Sequence, residues 1–372
     1  MNDVSQWVDD YVPPGSRDSN RNFGPGPKRD KRDPRRKPFK GLMSSAKFLA
    51  DMTPPDYLVH GLIMRGGTYT LTGNTGHCKT LLAILLAIRT ALGQWFLGRQ
   101  CRKSRVVFFA GENPDNVRYQ LYGVCAEIGV NPDELDIKWH DGVFSIEDAM
   151  CAVKAELAAH ADLGLCIFDS LQAFFEGDDD NQNADMLRLA VSFRELTEGH
   201  PNKPSGLIIA HPVKKASREN LLPRGGSALT NELDGNFTAW VEPGSVVGEF
   251  HWSGKFRGVP FDPLKFETAV IKPEGLVNAD GDQMPMTIIR PLCELREAEL
   301  RDDADKNEID ILAAIHVESG ITANGLHSKT GIGRRGVDKA LNQLVRDKLI
   351  RRFKRKLAIT QLGKKALELH GR

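Results

Sequence analysis

The sequence predicts an α/β protein built on a mostly parallel sheet, followed by a smaller, basic, helical unit. Three observations lead there. Four apolar runs, at Thr68–Thr72, Arg105–Ala110, 206–210 and Leu163–Asp169, read as strands, and helical patterns separate them as parallel pairing requires. The loop Gly73-Asn74-Thr75-Gly76-His77-Cys78-Lys79-Thr80 joins the first strand to a helix that is apolar on almost every side, TLLAILLAIRTAL, so this helix should be buried against the sheet. Past residue 305 the chain turns basic and reads helix, helix, helix, hairpin, helix.

Length and composition bound the rest. With 372 residues, 41% of them hydrophobic, the chain has room for one large domain with additions, or for two ordinary domains. No run approaches the roughly 18–20 apolar residues of a membrane helix. Residues 1–30 lack a signal-peptide core, so a soluble, cytoplasmic protein with no membrane partner is expected. The six cysteines are scattered, with no CxxC pair, which argues against zinc and disulfides and for a reducing compartment.

The net charge of +1 hides a segregation: +4 over residues 1–40, +8 over 305–372, and −11 between them. Basic ends point to a polyanionic partner, DNA or RNA. Residues 1–40, rich in Pro, Gly, Arg and Lys without an apolar period, read as a disordered basic arm. Residues 41–300 read as the α/β domain, with a hairpin over 237–252 that turns at Pro243-Gly244. A charged stretch, ELREAELRDDADKNE, then leads into residues 301–372. There an apolar helix at 310–317, a short helix ending at Gly331, and an amphipathic helix at 334–348 precede the basic hairpin. This is winged helix-turn-helix order, whose third helix, here carrying Arg334, Arg335 and Lys339, enters a DNA major groove; other winged helices serve only protein contacts. Arg351, Arg352, Lys354, Arg355 and Lys356 on the wing favour nucleic acid.

The loop at 73–80 has Walker A spacing in its confirming context, after a strand and opening a helix. Its amides would converge on the phosphates of ATP; Lys79 would supply a point charge and the Thr80 hydroxyl a ligand to Mg²⁺. Cys78 stands where a glycine usually precedes the lysine. A near-helical backbone would tolerate it, and the positive helix end would favour its thiolate, so alkylation of Cys78 would block ATP binding. LGLCIFD is an apolar strand ending in an acid, placing Asp169 at the Mg²⁺, directly or through water. Glu112, just past a strand tip, could orient and deprotonate the attacking water. His211 ends the fourth strand, where it would sense the γ-phosphate or serve the structure alone.

These segments, with FFAGENPDNVRYQL, LCIFDSLQAFF, GDDDNQNADM, IIAHPVKK and RGGSALTNELD in that order, resemble the RecA-like ATPases of plasmid RepA-type replicative helicases and related phage and mobile-element proteins. The likeness covers about residues 45–270. It implies a RecA-like P-loop core in a ring-forming homo-oligomer, usually a hexamer, with ATP between subunits. WSGKFRG resembles the K-x-R element of the DnaB-like and RecA-like families, which implies that Lys255 and Arg257 reach across the interface as an arginine finger; Arg224 is the competing candidate.

In such rings single strands bind loops that follow the third and fourth strands in chain order. The first, 176–185, is too acidic for phosphates. The second, 212–226, carries Lys214, Lys215, Arg218 and Arg224 and suits a pore lining. The expectation is an ATP-dependent ring helicase or translocase acting on DNA in replication of a plasmid, phage or mobile element. The alternative is an ATP-switched DNA-binding oligomer, a recombinase-like filament or replication regulator, that unwinds little.

Overall fold

The computed structural model describes residues 39, 41–50, 52, 54–177 and 183–369. Two compact units divide the chain, 1–54 and 55–372. In the first, the short helix α1 (Ser45–Leu49) is capped by Ser44, whose hydroxyl accepts the Lys47 amide at 3.3 Å. The arm expected over 1–40 lies outside the described residues, Phe39 excepted, and so do residues 178–182 of the acidic loop.

The second unit begins with a small hairpin, β1 (Tyr57–Val59) and β2 (Ile63–Met64), then β3 (Thr68–Thr72), α2 (Lys79–Leu92) and another hairpin, β4 (Trp95–Phe96) and β5 (Arg99–Gln100). Strands and helices then alternate: β6 (Arg105–Ala110), α3 (Pro114–Ile128), β7 (Ile137–Asp141), α4 (Ile146–Ala158), β8 (Leu163–Asp169), α5 (Asn183–Thr197), β9 (Ser205–Ala210) and α6 (Gly226–Glu232). Four consecutive strands follow, β10 (Gly235–Val241), β11 (Val247–Phe256), β12 (Leu264–Ile271) and β13 (Met286–Pro291). Last come α7 (Glu294–Val317), α8 (Ala323–Thr330), α9 (Arg334–Arg346), the hairpin β14 (Ile350–Phe353) and β15 (Lys356–Ile359), and α10 (Gln361–Leu369).

One sheet holds nine of these strands in the order β13-β12-β11-β10-β3-β9-β8-β6-β7. The six from β10 to β7 run parallel, and β11, β12 and β13 extend them antiparallel. Period-two alternation sends Val106, Phe108, Leu165, Ile167, Leu207 and Ile209 into the core on the α2 side. Their neighbours Val107, Phe109, Cys166, Phe168 and Ile208 enter the core formed with α4, α5 and α6. Burial on both faces explains why these strands read as unbroken apolar runs.

The antiparallel strands curl round α2 until β13 packs on α3. Arg290 pairs with Glu127 there, and a side chain at Gly123 would lie 3.1 Å from Met286. Helix α2 is thereby enclosed, which accounts for its apolar residues on every side. Strands β7, β12 and β13 escaped sequence reading, because β7 exposes most of its residues and the other two mix polar with apolar ones.

The charged stretch before residue 310 is helical. It forms the first half of the 24-residue helix α7. Its Glu, Arg, Lys and Ala are strong helix formers, and the pairs Arg296–Glu299 (3.0 Å) and Arg301–Glu297 (3.1 Å) brace successive turns. The second half supplies Ile311, Leu312 and Ile315 to a separate core with Leu326, Val337, Leu341 and Leu344. Among the described residues, no helix is long and apolar enough to cross a membrane.

Candidate active site

In a parallel sheet the loops leaving the carboxyl ends of neighbouring strands open on one edge. Here β3, β9, β8 and β6 are neighbours, so the phosphate loop, His211, Asp169 and Glu112 meet there. Together they line a cavity of about 380 Å³.

The loop is shaped by close approach to β10. A Cβ at Gly73 would lie 2.6 Å from the Ala239 carbonyl oxygen, so only glycine fits. His77 accepts the Val241 amide at Nδ1 (3.3 Å) and meets the Trp240 ring edge-on at 4.8 Å between centroids. Burial lowers its pKa, which keeps this acceptor neutral. Thr75, Gly76, Cys78, Lys79 and Thr80 line the cavity, whereas Gly73, Asn74 and His77 hold the loop from behind. Lys79 is 8% exposed, and its Nζ donates to the Asn74 carbonyl at 3.1 Å, across the turn that would cradle phosphate. Burial depresses its pKa, while Asp169 and Glu112 oppose that.

Cys78 departs from expectation twice. Its backbone is left-handed (φ 62, ψ 24) rather than near-helical, the conformation for which glycine is the usual choice. Burial also pushes its thiol up to about 11, so at neutral pH the group is a protonated thiol and not a thiolate. Alkylation of Cys78 should therefore be slow at pH 7 and speed up as pH rises toward 11. Mass-spectrometric labelling rates test this; fast labelling at pH 7 would contradict it. Cys78→Gly, which relieves the left-handed strain but frees the unfolded chain, should raise stability by no more than about 1 kcal/mol.

The Thr80 hydroxyl donates to Asp169 Oδ2 at 2.9 Å, so two oxygens converge beside Lys79. Asp169 is 4% exposed, and burial raises its carboxyl to about 6. A hydroxyl and a carboxylate suit Mg²⁺, which takes few protein oxygens and draws its remaining ligands from water and phosphate. Residues Thr80 and Asp169 would hold it, and the ion would neutralise charge on the phosphates.

Glu112 sits one loop away, its amide bonded to the Asp169 carbonyl at 2.9 Å. Its carboxylate lies 3.5 Å from His211 Nε2. His211 beside it, with Lys79 further off, holds the Glu112 carboxyl down at about 2 against the opposing effect of burial, so it is ionised at any working pH. Sequence reading missed Asn116 and Gln120, which line the cavity from α3 together with Thr287 of β13. Helical spacing four and eight residues beyond Glu112 was the available signal for the first two; Thr287 sits on a strand that gave none. A second cavity of about 240 Å³ shares Asn116, Gln120 and Thr287 and adds Tyr119, Met284 and Met286.

The proposed fingers do not line this cavity. Lys255 and Arg257 lie where β11 pairs with the start of β10, at the sheet edge opposite the phosphate loop. Arg257 pairs with the buried Asp234 at 2.8 Å, and Lys255 donates to the Asn231 carbonyl. Arg224 is on the cavity side, its amide bonded to the His211 carbonyl at 2.8 Å. Between His211 and Arg224 the loop is pinched by Val213 N–H to the Leu222 carbonyl (3.0 Å), leaving Lys214 and Lys215 exposed. Arg218 is held by Glu249. In the C-terminal region Arg334, Arg351, Arg352, Lys354, Arg355 and Lys356 are exposed. Arg335 and Lys339 instead have their backbone against the β10–β11 turn at Gly244.

A glycine-bearing loop between a buried strand and a helix, facing an acidic strand end across a threonine hydroxyl, defines a P-loop nucleotide-binding core. Residues 33–217 match the AAA domain family, and that match supports a P-loop ATPase. No curated protein matches the chain.

Proposed function

We propose that the chain is an ATPase that couples hydrolysis to movement on DNA as a ring-forming helicase or translocase in plasmid, phage or mobile-element replication. What carries this reading is the convergence of Lys79, the Thr80–Asp169 pair and the Glu112–His211 pair on one cavity. The amides and Lys79 bind the phosphates, and Glu112 holds the attacking water and takes its proton. The second cavity, with Tyr119 at its rim and the amides of Asn116 and Gln120 between the two spaces, suits a purine base.

Coupling to DNA is supported by the pinched loop. Its two ends are His211, which touches Glu112, and Arg224, so a shift of His211 on loss of the γ-phosphate would be transmitted to Lys214 and Lys215. Those lysines would contact a single strand's phosphates in the pore, with binding that weakens steeply in salt. Residues 301–372 are read as a winged helix that recruits duplex DNA through the basic β14–β15 hairpin. A neighbouring subunit would supply Arg224 or Arg257 to the γ-phosphate.

Steady-state hydrolysis with and without single-stranded DNA, alongside strand displacement, tests the proposal. Strong stimulation with displacement is expected. Slow, DNA-insensitive turnover with ATP-dependent assembly would replace it with the nucleotide-switched binding oligomer.

A further inference from the structure

The hairpin of β14 and β15 is held at its root and bare at its tip. Leu357 donates its amide to the Ile321 carbonyl (3.1 Å) and accepts from the Gly320 amide (2.8 Å), and the Thr360 hydroxyl donates to the Lys348 carbonyl (2.8 Å). Ile350 and Leu357 are buried, entering the core of the C-terminal helices from one face of the hairpin. The pleat then places Arg351 and Phe353 on the other face, and Lys356 stands directly opposite Phe353 in the register. Lys354 and Arg355 alone make the turn, Lys354 in the left-handed conformation (φ 55) for which asparagine or glycine is the usual choice.

Residues 350–359 hold five lysines and arginines and no acid. Among the described residues no side chain pairs with any of the five. Exposed arginines elsewhere are held by carboxylates, as Arg118 is by Asp115, Arg290 by Glu127 and Arg301 by Glu297. Unpaired cations crowded on a short hairpin repel one another and suit a polyanion. Phe353 stands among them, 76% exposed. A single exposed apolar residue is ordinary on a protein surface, but this ring lies between Arg351 and Lys356, on the face that phosphates would meet. An aromatic ring set among phosphate-binding cations is the arrangement that takes an unpaired base, since every base has a π-face to stack.

We propose that the tip of this hairpin binds DNA where pairing ends, with an unpaired base stacked on Phe353 and the flanking phosphates on Arg351 and Lys356. The hairpin is thereby directed to the junction of duplex and single strand, not to duplex along its length. The inference rests on residues 301–372 recruiting DNA as proposed above.

The test is fluorescence-anisotropy binding of the full chain, without nucleotide, to three DNAs: a blunt duplex, the same duplex with a single-stranded tail, and that tailed duplex with an abasic nucleotide at the junction. The two tailed DNAs carry the same phosphates, so contacts made by Lys214 and Lys215 cancel between them. Wild type should bind the intact junction about tenfold more tightly than the abasic one. Phe353→Ala should abolish that ratio with blunt-duplex affinity unchanged, and Phe353→Trp should keep it; the ring lies outside the core, so neither change threatens the fold. Replacing Arg351 and Lys356 together by alanine should weaken all three DNAs and flatten their salt dependence. A ratio near one in wild type, or one that Phe353→Ala leaves unchanged, overturns this inference alone. Binding untouched by the loss of Arg351 and Lys356 overturns the DNA-recruiting reading of the hairpin as well.

Discussion

Glu112→Gln is expected to lower ATP turnover by about 10²–10⁴-fold while changing nucleotide affinity only slightly, because the glutamine keeps the shape but can neither carry charge nor accept a proton as a base. The wild-type carboxyl, held near 2 by His211, is fully ionised in any assay. Its amide stays bonded to the Asp169 carbonyl whatever the side chain, so the loop should not move. Lys79 and the Thr80–Asp169 pair, which would carry most of the binding, are untouched. Initial rates and ATP titrations on the same preparation separate the two effects. Turnover within a factor of three of wild type would remove Glu112 from the chemistry.

Asp234→Ala should destabilise the fold by about 3 kcal/mol, read as a lower urea midpoint at unchanged slope. The carboxylate is 7% exposed and accepts the Thr68 amide (2.9 Å), Arg257 (2.8 Å) and Arg194 (3.2 Å). It thereby ties the start of β3 to β10, β11 and α5. Removal leaves a buried amide without a partner and strips a carboxylate from the half-buried Arg194. Asp234→Asn, which can still accept from Thr68, should cost less. Arg257→Ala should cost under about 1 kcal/mol, since that side chain is 56% exposed and its pairing is screened. Equal losses in all three variants would mean that the cluster is not what holds these elements.

The parts of the fold visible in the sequence are those buried on both sides. Strands β6, β8 and β9 left nearly unbroken apolar runs, each followed or ended at its carboxyl end by a residue of the site, and β3 was marked by the glycine-bearing loop after it. The β10–β11 hairpin was legible from its turn at Pro243-Gly244, whereas the edge strand β7 and the antiparallel β12 and β13 left no such trace, and neither did the charged first half of α7. Within the site, spacing alone brought forward Lys79, Thr80, Asp169, Glu112 and His211, which the fold gathers on one cavity. It could not reveal that Cys78 is left-handed, because that follows from the loop's path against β10. Nor could it place Arg335 beside residues distant in sequence, since tertiary contact alone decides that.

The curl of the sheet around α2 has a consequence for synthesis. A nascent chain completes the strand-loop-helix motif by residue 92, yet the strands that close over α2 end only at residue 291. During that interval on the ribosome an apolar helix stands partly bare, an invitation to chaperones and to self-association. For the same reason a fragment trimmed to residues 33–217 would lack β10, the parallel partner of β3, and should be recovered as aggregate although it contains every residue of the phosphate loop.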